Sequence, residues 1–165
     1  MGSLDGVIKT RSAWIGSREV VEVKFHPDVL SFEALLDHAI RSSCDQRVYT
    51  TNDAQMAIAK KKVGDRVEKF DGKLRDAKDS DQLYYLGRSH LRFLPLTPAQ
   101  ARKVNAALGR KSSASPQDFL SPRQVELARK IHAKLKEDGE ALRGLERPDD
   151  LGGLARYQAK LEARL

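Results

Sequence analysis

The sequence predicts an α+β protein in which a strand-containing N-terminal part precedes a helical C-terminal part. Two observations predict this class. The stretch from Gly6 to Leu36 reads as strand, turn, strand and helix. The second half of the chain twice shows a hydroxyl residue, Pro, one further residue and Gln, beginning at Thr97 and at Ser121, which is a strong signal for the start of a helix. We therefore expect a strand and helix core followed by a helical extension.

The segment from Arg18 to Phe25 alternates in polarity, as a half-buried strand does. The face expected to be buried holds the apolar residues Val21, Val23 and Phe25. Pro27 ends the pattern because proline fixes its own φ and drives the preceding residue out of the helical region. Ser31 is the expected N-cap of the helix that follows.

The middle of the chain predicts one more helix between irregular segments. Residues 42–51 read as a polar turn, Asn52 as an N-cap, and Gly64 as the end of the helix. The residues expected on its buried face are Met56, Ala59 and Val63. The charged segment 64–80 predicts a hairpin or an irregular loop around Asp71-Gly72.

The C-terminal half predicts three helices. The first begins after Thr97 and ends at Gly109, and the second begins after Ser121, each with a Gln that completes a capping box. The residues between them, 109–119, predict a loop or linker. The last helix is expected from about Asp149 to the end, with Leu154, Tyr157, Leu161 and Leu165 at helical spacing.

Charge and composition restrict the partners. The net charge is +7, and residues 87–136 hold eleven Lys and Arg against Asp118 and Glu126. This surplus is open to two interpretations, a surface for nucleic acid or acidic protein or simply a solvated face. The chain has no apolar run of membrane-spanning length and no basic and apolar leader, so we expect a cytoplasmic protein and no membrane partner.

The N-terminal stretch resembles a known family. It contains Gly6-Val7, Thr10-Arg11, an aromatic ahead of Gly16, the run Glu-Val-Val-Glu-Val from Glu19, Phe-x-Pro, and Ser-Phe-Glu-x-Leu-Leu. These phrases resemble the core of the A-type peptide-methionine (S)-S-oxide reductases, and Gln-x-Tyr-Tyr-Leu, ending at Leu86, resembles a segment near the end of that core. The resemblance implies a ferredoxin-like core with a mixed sheet over residues 1–86 and a basic helical extension over 87–165.

The resemblance also implies a set of site residues. Glu19 matches the Glu that hydrogen-bonds and helps to protonate the sulfoxide oxygen, so it is the candidate catalytic residue. Trp14 matches a pocket aromatic and Asp53 matches a pocket Asp, which makes both candidate substrate-binding residues. Ile58 stands where the family has a second tyrosine. Without the resemblance, these residues read as a solvated strand-end carboxylate, a core or rim aromatic and a first-turn helix acid.

The chemistry of the family requires a thiol. Its nucleophilic cysteine lies in a Gly-Cys-Phe-Trp segment shortly before the Gly-Val pair, whereas this chain begins at Met1, so we expect the chain alone to be inactive. Cys44 is the one cysteine in the chain and hence the candidate redox thiol. The resemblance implies no cofactor. The four histidines show no paired spacing and there is no second cysteine, so we expect no metal site. The implied partners are oxidised protein or free methionine sulfoxide as substrate and a thioredoxin-type reductant.

A non-enzymatic binding module is the alternative interpretation. In it, the basic helical half would bind nucleic acid or acidic protein, because the helix starts at Thr97 and Ser121 are similar to those of some helix-turn-helix proteins. The spacing between them exceeds the turn of three or four residues in that motif. Charge alone is a weak argument, so we favour the reductase lineage and do not expect nucleic acid as a partner.

Overall fold

The computed structural model of the chain describes residues 1–109 and 112–165. These residues form two compact units. The first contains Met1 and residues 3–77, and the second contains Gly2 and residues 78–165. The division by contacts thus falls between Ala77 and Lys78, whereas the division at 86/87 rests on the resemblance and stays a prediction.

A long β-hairpin begins the first unit. β1 (Val7–Ile15) pairs antiparallel with β2 (Arg18–Phe25), and the last pair, Ile15 with Arg18, closes a two-residue turn. Gly16 occupies that turn with φ 59°, a conformation that glycine adopts at little cost. β1 also pairs with the two-residue strand β5 (Arg75–Asp76), so the sheet order is β2-β1-β5. The predicted strand from Arg18 to Phe25 is confirmed.

The predicted burial of β2 is wrong for Val21, whereas Val23 and Phe25 are half-buried. Within β2, which the structure describes in full, no residue is buried, and Val21 keeps 50% of its surface exposed. Two features account for this exposure. β2 is an edge strand of the sheet, and Val21 lies opposite Ser12, a small residue that covers little of its side chain.

The rest of the first unit is a small α+β layer. It contains α1 (Phe32–Arg41), β3 (Val48–Thr50), α2 (Asp53–Val63) and β4 (Val67–Lys69), and β3 pairs parallel with β4. Leu36, Ala59 and Val63 form its buried core. The predicted caps are confirmed: the Ser31 hydroxyl accepts from the backbone N–H of Ala34, the Asn52 side chain accepts from that of Gln55, and Gly64 follows the last helical residue with φ 61°.

The predictions for the connecting segments are wrong in part. The segment read as a polar turn contains β3. Of the two alternatives for residues 64–80, the hairpin is wrong, whereas residues 70–74 around Asp71-Gly72 do form an irregular loop. The strands on either side of this loop belong to different sheets, since β4 pairs with β3 while β5 pairs with β1. Backbone bonds from Phe70 to the Thr50 carbonyl and from Ala77 to the Ser12 carbonyl extend the two ladders. These pairings join residues far apart in sequence, and the local pattern carries no signal for them.

The second unit is helical. It contains α3 (Tyr84–Gly87), α4 (Pro98–Ala107), α5 (Pro122–Glu137) and α6 (Leu154–Glu162). Its core is one apolar cluster in which Leu94, Leu96, Val104, Ile131, Leu142 and Leu161 are completely buried. The predicted last helix is confirmed for Tyr157 and Leu161, which are buried, but it begins at Leu154 and not near Asp149. An Asx-type bond from the Gly153 N–H to the Asp150 carboxylate occupies the segment before it.

Both predicted capping boxes are present, and their glutamines also bind each other. Gln100 Nε2 donates to Gln124 Oε1 at 2.9 Å, and Gln124 Nε2 donates back to Gln100 Oε1 at 3.2 Å. The second N–H of each amide reaches a backbone carbonyl, of Phe119 for Gln100 and of Pro95 for Gln124. Each amide therefore uses both of its donors, and the starts of α4 and α5 are held together.

Between α4 and α5 the chain makes a short 3₁₀ turn over Pro116–Phe119, which begins with its own capping box at Ser115. The loop prediction for 109–119 falls partly on Arg110 and Lys111, which lie outside the described residues. Residues 108–121 separate the two helices, so the three- or four-residue turn of a helix-turn-helix motif is not formed.

The α+β class is confirmed, because small sheets and helices are both present. The strands form two separate sheets, one antiparallel and one parallel. The ferredoxin-like arrangement of the core stays a prediction.

The amide pair predicts a measurable contribution to stability. Gln124→Ala removes a cap, the bond to Gln100 and the bond to the Pro95 carbonyl, so the free energy of unfolding should fall by about 2 kcal/mol. Urea unfolding followed by far-UV circular dichroism measures it. Gln117→Ala is the matched control, because that side chain is exposed and bonds to no described residue; it should change stability by less than about 0.5 kcal/mol. Equal effects of the two variants would contradict this role.

Tyr157 predicts a loss of stability in alkali. Its hydroxyl donates to the Phe93 carbonyl at 2.9 Å, and burial raises the pKa of Tyr157 to about 12 although Arg147 and Arg92 act against the rise. An unfolded tyrosine titrates near pH 10. Between about pH 10 and pH 12 only the unfolded chain loses the proton, so up to about 2 kcal/mol of stability present below pH 10 should be lost as the pH rises. Urea unfolding at pH 8, 10 and 11 should show this loss in the natural chain and a smaller one in Tyr157→Phe.

Candidate functional site

Trp14 and Glu19 lie directly opposite each other on β1 and β2. On the other side of β1, Trp14 lies opposite Arg75 of β5, and the guanidinium carbon of Arg75 is 5.3 Å from the centroid of the indole ring. Directly opposite residues of neighbouring strands project from the same face of a sheet. Glu19, Trp14 and Arg75 therefore form a row across three strands.

This row is open to solvent. Trp14 is half-buried, whereas Glu19 and Arg75 are exposed. Val21 lies two residues after Glu19 on the same face and leaves 50% of its surface exposed. We call these four residues, Trp14, Glu19, Val21 and Arg75, the Trp14 face. It presents a carboxyl group, an indole and an apolar patch side by side, and no hydrogen bond or ion pair to Glu19 occurs among the residues described.

The opposite face of the same sheet is tied together by Arg11. Its Nε bonds the Glu22 carboxylate at 3.0 Å, and its Nη1 bonds the Asp76 carboxylate at 2.7 Å. The guanidinium thus bridges β2 and β5 across β1. Beside it, Ala13 is completely buried. This bridge supports the register that sets Trp14 opposite both Glu19 and Arg75.

Asp53 has a different partner. It is the first residue of α2, where its carboxylate accepts from Lys69 Nζ of β4 at 2.7 Å. This hydrogen bond, with the charge of Lys69, lowers the pKa of Asp53. No hydrogen bond or ion pair in the described chain joins Asp53 to the Trp14 face. The arrangement agrees with the interpretation of Asp53 as a first-turn acid.

Cys44 is exposed and lies just past the carboxyl end of α1. Its N–H donates to the Ala39 carbonyl at 2.8 Å, and its thiol donates to the Ser42 carbonyl at 3.5 Å. The thiol thus lies at the carbonyl end of a helix and not at the N-terminal end, where reactive cysteines are often found. Ile58, the residue at the place of the second family tyrosine, is half-buried in α2.

The described residues contain neither a candidate metal site nor a helix that could span a membrane. In the described part of the chain, no three His, Cys, Asp or Glu side chains are grouped as a metal ion would require. His90 and His132 of the second unit do approach each other, with ring centroids 5.0 Å apart. Among the described helices, none is both long enough and apolar enough to cross a bilayer.

The sequence does not predict two contacts of the site residues. These are the contact of Arg75 with the Trp14 ring and the ion pair of Lys69 with Asp53. Arg75 belongs to a strand of two residues inside a charged segment, which leaves no periodic pattern to read. Lys69 precedes an Asp-Gly turn and reaches Asp53 only because β4 pairs with β3. A sequence signal for either contact would have required the long-range pairing to be known.

Comparison with known proteins adds no relative. No protein-family model, no curated protein and no solved structure matches this chain. The resemblance to the A-type reductases therefore depends on the quoted residues alone and stays a prediction.

The ion pair between Asp53 and Lys69 should lower the pKa of Asp53 measurably. The Asp53 carboxyl should titrate below the value near 3.9 of an unfolded Asp, so its contribution to stability is present above that value and lost as the pH falls through the lower folded pKa. Carboxyl ¹³C NMR measures the midpoint. Lys69→Gln should raise it toward the ordinary value, whereas Lys73→Gln should leave it unchanged. An unchanged midpoint in Lys69→Gln would show that the pair does not form in solution.

Proposed function

We propose that the chain belongs to the lineage of the A-type peptide-methionine (S)-S-oxide reductases and that the Trp14 face binds the sulfoxide group of oxidised methionine. The observation that carries the proposal is the register of the hairpin. Trp14 and Glu19, the two residues singled out by the resemblance at separate places in the sequence, are directly opposed on neighbouring strands. The proposed core is the ferredoxin-like one of that family, with residues 87–165 as its extension.

The Trp14 face offers the contacts that a methyl sulfoxide requires. The sulfoxide oxygen is a hydrogen-bond acceptor, and both a protonated Glu19 carboxyl and the indole N–H of Trp14 can donate to it. The exposed part of Val21 supplies an apolar surface for the methyl group. Arg75 stacks on the indole and so restricts its orientation.

Reduction of the sulfoxide needs two thiols besides this site. A thiol attacks the sulfur, the oxygen takes up protons and leaves as water, and a second thiol completes a disulfide, so that two thiols supply the two electrons. No hydrogen bond among the described residues links Cys44 to the Trp14 face. The proposal therefore assigns only oxygen binding to this chain. The attacking thiol would have to come from another polypeptide, and the chain alone is expected to be inactive even with a thioredoxin-type reductant.

Glu19 is exposed, whereas a general acid of this kind works best in an apolar pocket. A bound methionine side chain would cover part of the Trp14 face and remove water from the carboxyl group. The proposal consequently predicts that binding of the sulfoxide and protonation of Glu19 favour each other.

Fluorescence of Trp14, the one tryptophan in the chain, tests this coupling. N-acetyl-methionine sulfoxide should change the emission saturably, and its affinity should be about fivefold higher at acidic than at neutral pH, because a protonated Glu19 donates one further hydrogen bond. Glu19→Gln should bind at every pH without this dependence, since the amide always has an N–H to donate. Glu19→Ala should bind more weakly at low pH.

Asp28→Asn is the matched control. Asp28 is an exposed carboxylate beyond the opposite end of β2, more than about 20 Å along the strand from Glu19. It should retain the pH dependence of the natural chain. Equal binding of N-acetyl-methionine and its sulfoxide, or a pH dependence that survives Glu19→Ala, would exclude the proposal.

The alternative function, a binding module formed by the basic helical unit, has less support than the sulfoxide proposal. Residues 78–165 contain seventeen Lys and Arg against eleven Asp and Glu, but α4 and α5 lack the helix-turn-helix spacing. The charge is general and selects no partner by itself, so we do not propose this function for the whole unit.

A further inference from the structure

The second unit carries a surface depression of about 230 Å³ whose polar lining is basic. The polar lining consists of Arg88, Ser89, His90 and Arg92, together with the backbone of Gly139. Phe93 and Leu135 form its apolar part. The lining residues include two arginines and no Asp or Glu, which is a composition suited to an anion.

Arg88 is held in place by contacts that leave most of its donors available. Its guanidinium carbon lies 3.6 Å from the centroid of the Tyr84 ring, and its Nη1 donates to the carbonyls of Ser80 and Tyr84. Stacking and backbone bonds fix the plane of the group. The N–H groups of Nε and Nη2 bond to no described residue.

Arg92 is arranged in the same way. Its guanidinium carbon lies 4.6 Å from the centroid of the Phe93 ring, and its Nη1 donates to the Gly87 carbonyl at 3.2 Å. Its Nε and Nη2 also bond to no residue described. Both arginines of the lining therefore keep the Nε and Nη2 edge, which can bind two oxygens of an anion at once.

The acidic residues that flank Gly139 are engaged elsewhere. Asp138 accepts from the backbone N–H of Glu140 at 2.9 Å, and Glu140 pairs with Arg143 at 3.2 Å. Neither of the two arginines has a carboxylate within ion-pair distance among residues 1–109 and 112–165. No ion pair among the described residues therefore neutralises either arginine.

We propose that this depression binds the dianion of a phosphate monoester. Two guanidinium groups match its charge, which is about −1.5 to −2 at pH 7, and its three terminal oxygens suit two forked donors better than the two oxygens of a carboxylate. Ser89 and His90 line the same space and supply polar groups for the ester end. A small metabolite and a phosphorylated side chain share this chemistry. The site is independent of the sulfoxide proposal, since it uses none of the same residues.

Titration of the full chain with phenyl phosphate, followed by ¹⁵N NMR at low ionic strength, tests the site. The backbone signals of Ser89 and Gly139 and the Nε signals of Arg88 and Arg92 should shift together and saturate. Arg88→Gln and Arg92→Gln should each weaken binding at least about tenfold, because each removes a charge-assisted pair of hydrogen bonds. The Nε signals of the natural chain keep the test decisive if either variant folds poorly.

Arg156→Gln is the matched control, because Arg156 is an exposed arginine of α6 with no partner among the described residues and no place in the depression. It should leave the affinity unchanged. O-phosphoserine within a peptide should bind more tightly than phenyl phosphate if the natural ligand is a phosphorylated side chain and equally if it is a small ester; either result supports the site. Shifts that do not saturate, acetate binding as tight as phosphate, or an equal loss in Arg156→Gln would overturn it.

Discussion

The antiparallel pairing of β1 with β2 is the constraint on which the candidate sulfoxide site depends. The two-residue turn at Gly16 sets the register, and the register alone decides that Trp14 lies opposite Glu19. Because side chains alternate along a strand, a shift by one residue would move Glu19 to the other face and bring Val20 to its place. The bridge from Arg11 to Glu22 and Asp76 opposes such a shift from the reverse side of the sheet.

In the second unit, residues that cap helices fix the position of one helix start against another. Two glutamines that each close a capping box also bind one another, so a local signal and a tertiary contact coincide in the same pair of side chains. The depression with two arginines lies around another segment of that unit, where stacking on Tyr84 and Phe93 replaces ion pairing. The two arginines of the depression are thus oriented by backbone carbonyls and aromatic rings.

Local signals in the sequence predicted the helices well. Ser31, Asn52, Thr97 and Ser121 all cap the helices expected of them, because a cap depends on residues only three positions away. Contacts between distant segments were not predictable in this way. The parallel pair of β3 and β4, the position of Arg75 over Trp14 and the bond between Gln100 and Gln124 all follow from tertiary packing, and a single sequence carries no periodic trace of them.

The outer edge of β2 has a consequence for association between molecules. β2 is an edge strand of eight residues, and alternate residues direct their backbone N–H and C=O groups outward, where a second chain could add a strand. Arg18, Glu19 and Lys24 place charged groups along this edge, and such groups must be desolvated when two strands join. The carboxyl group that makes Glu19 a candidate for chemistry therefore also helps to keep the strand unpaired.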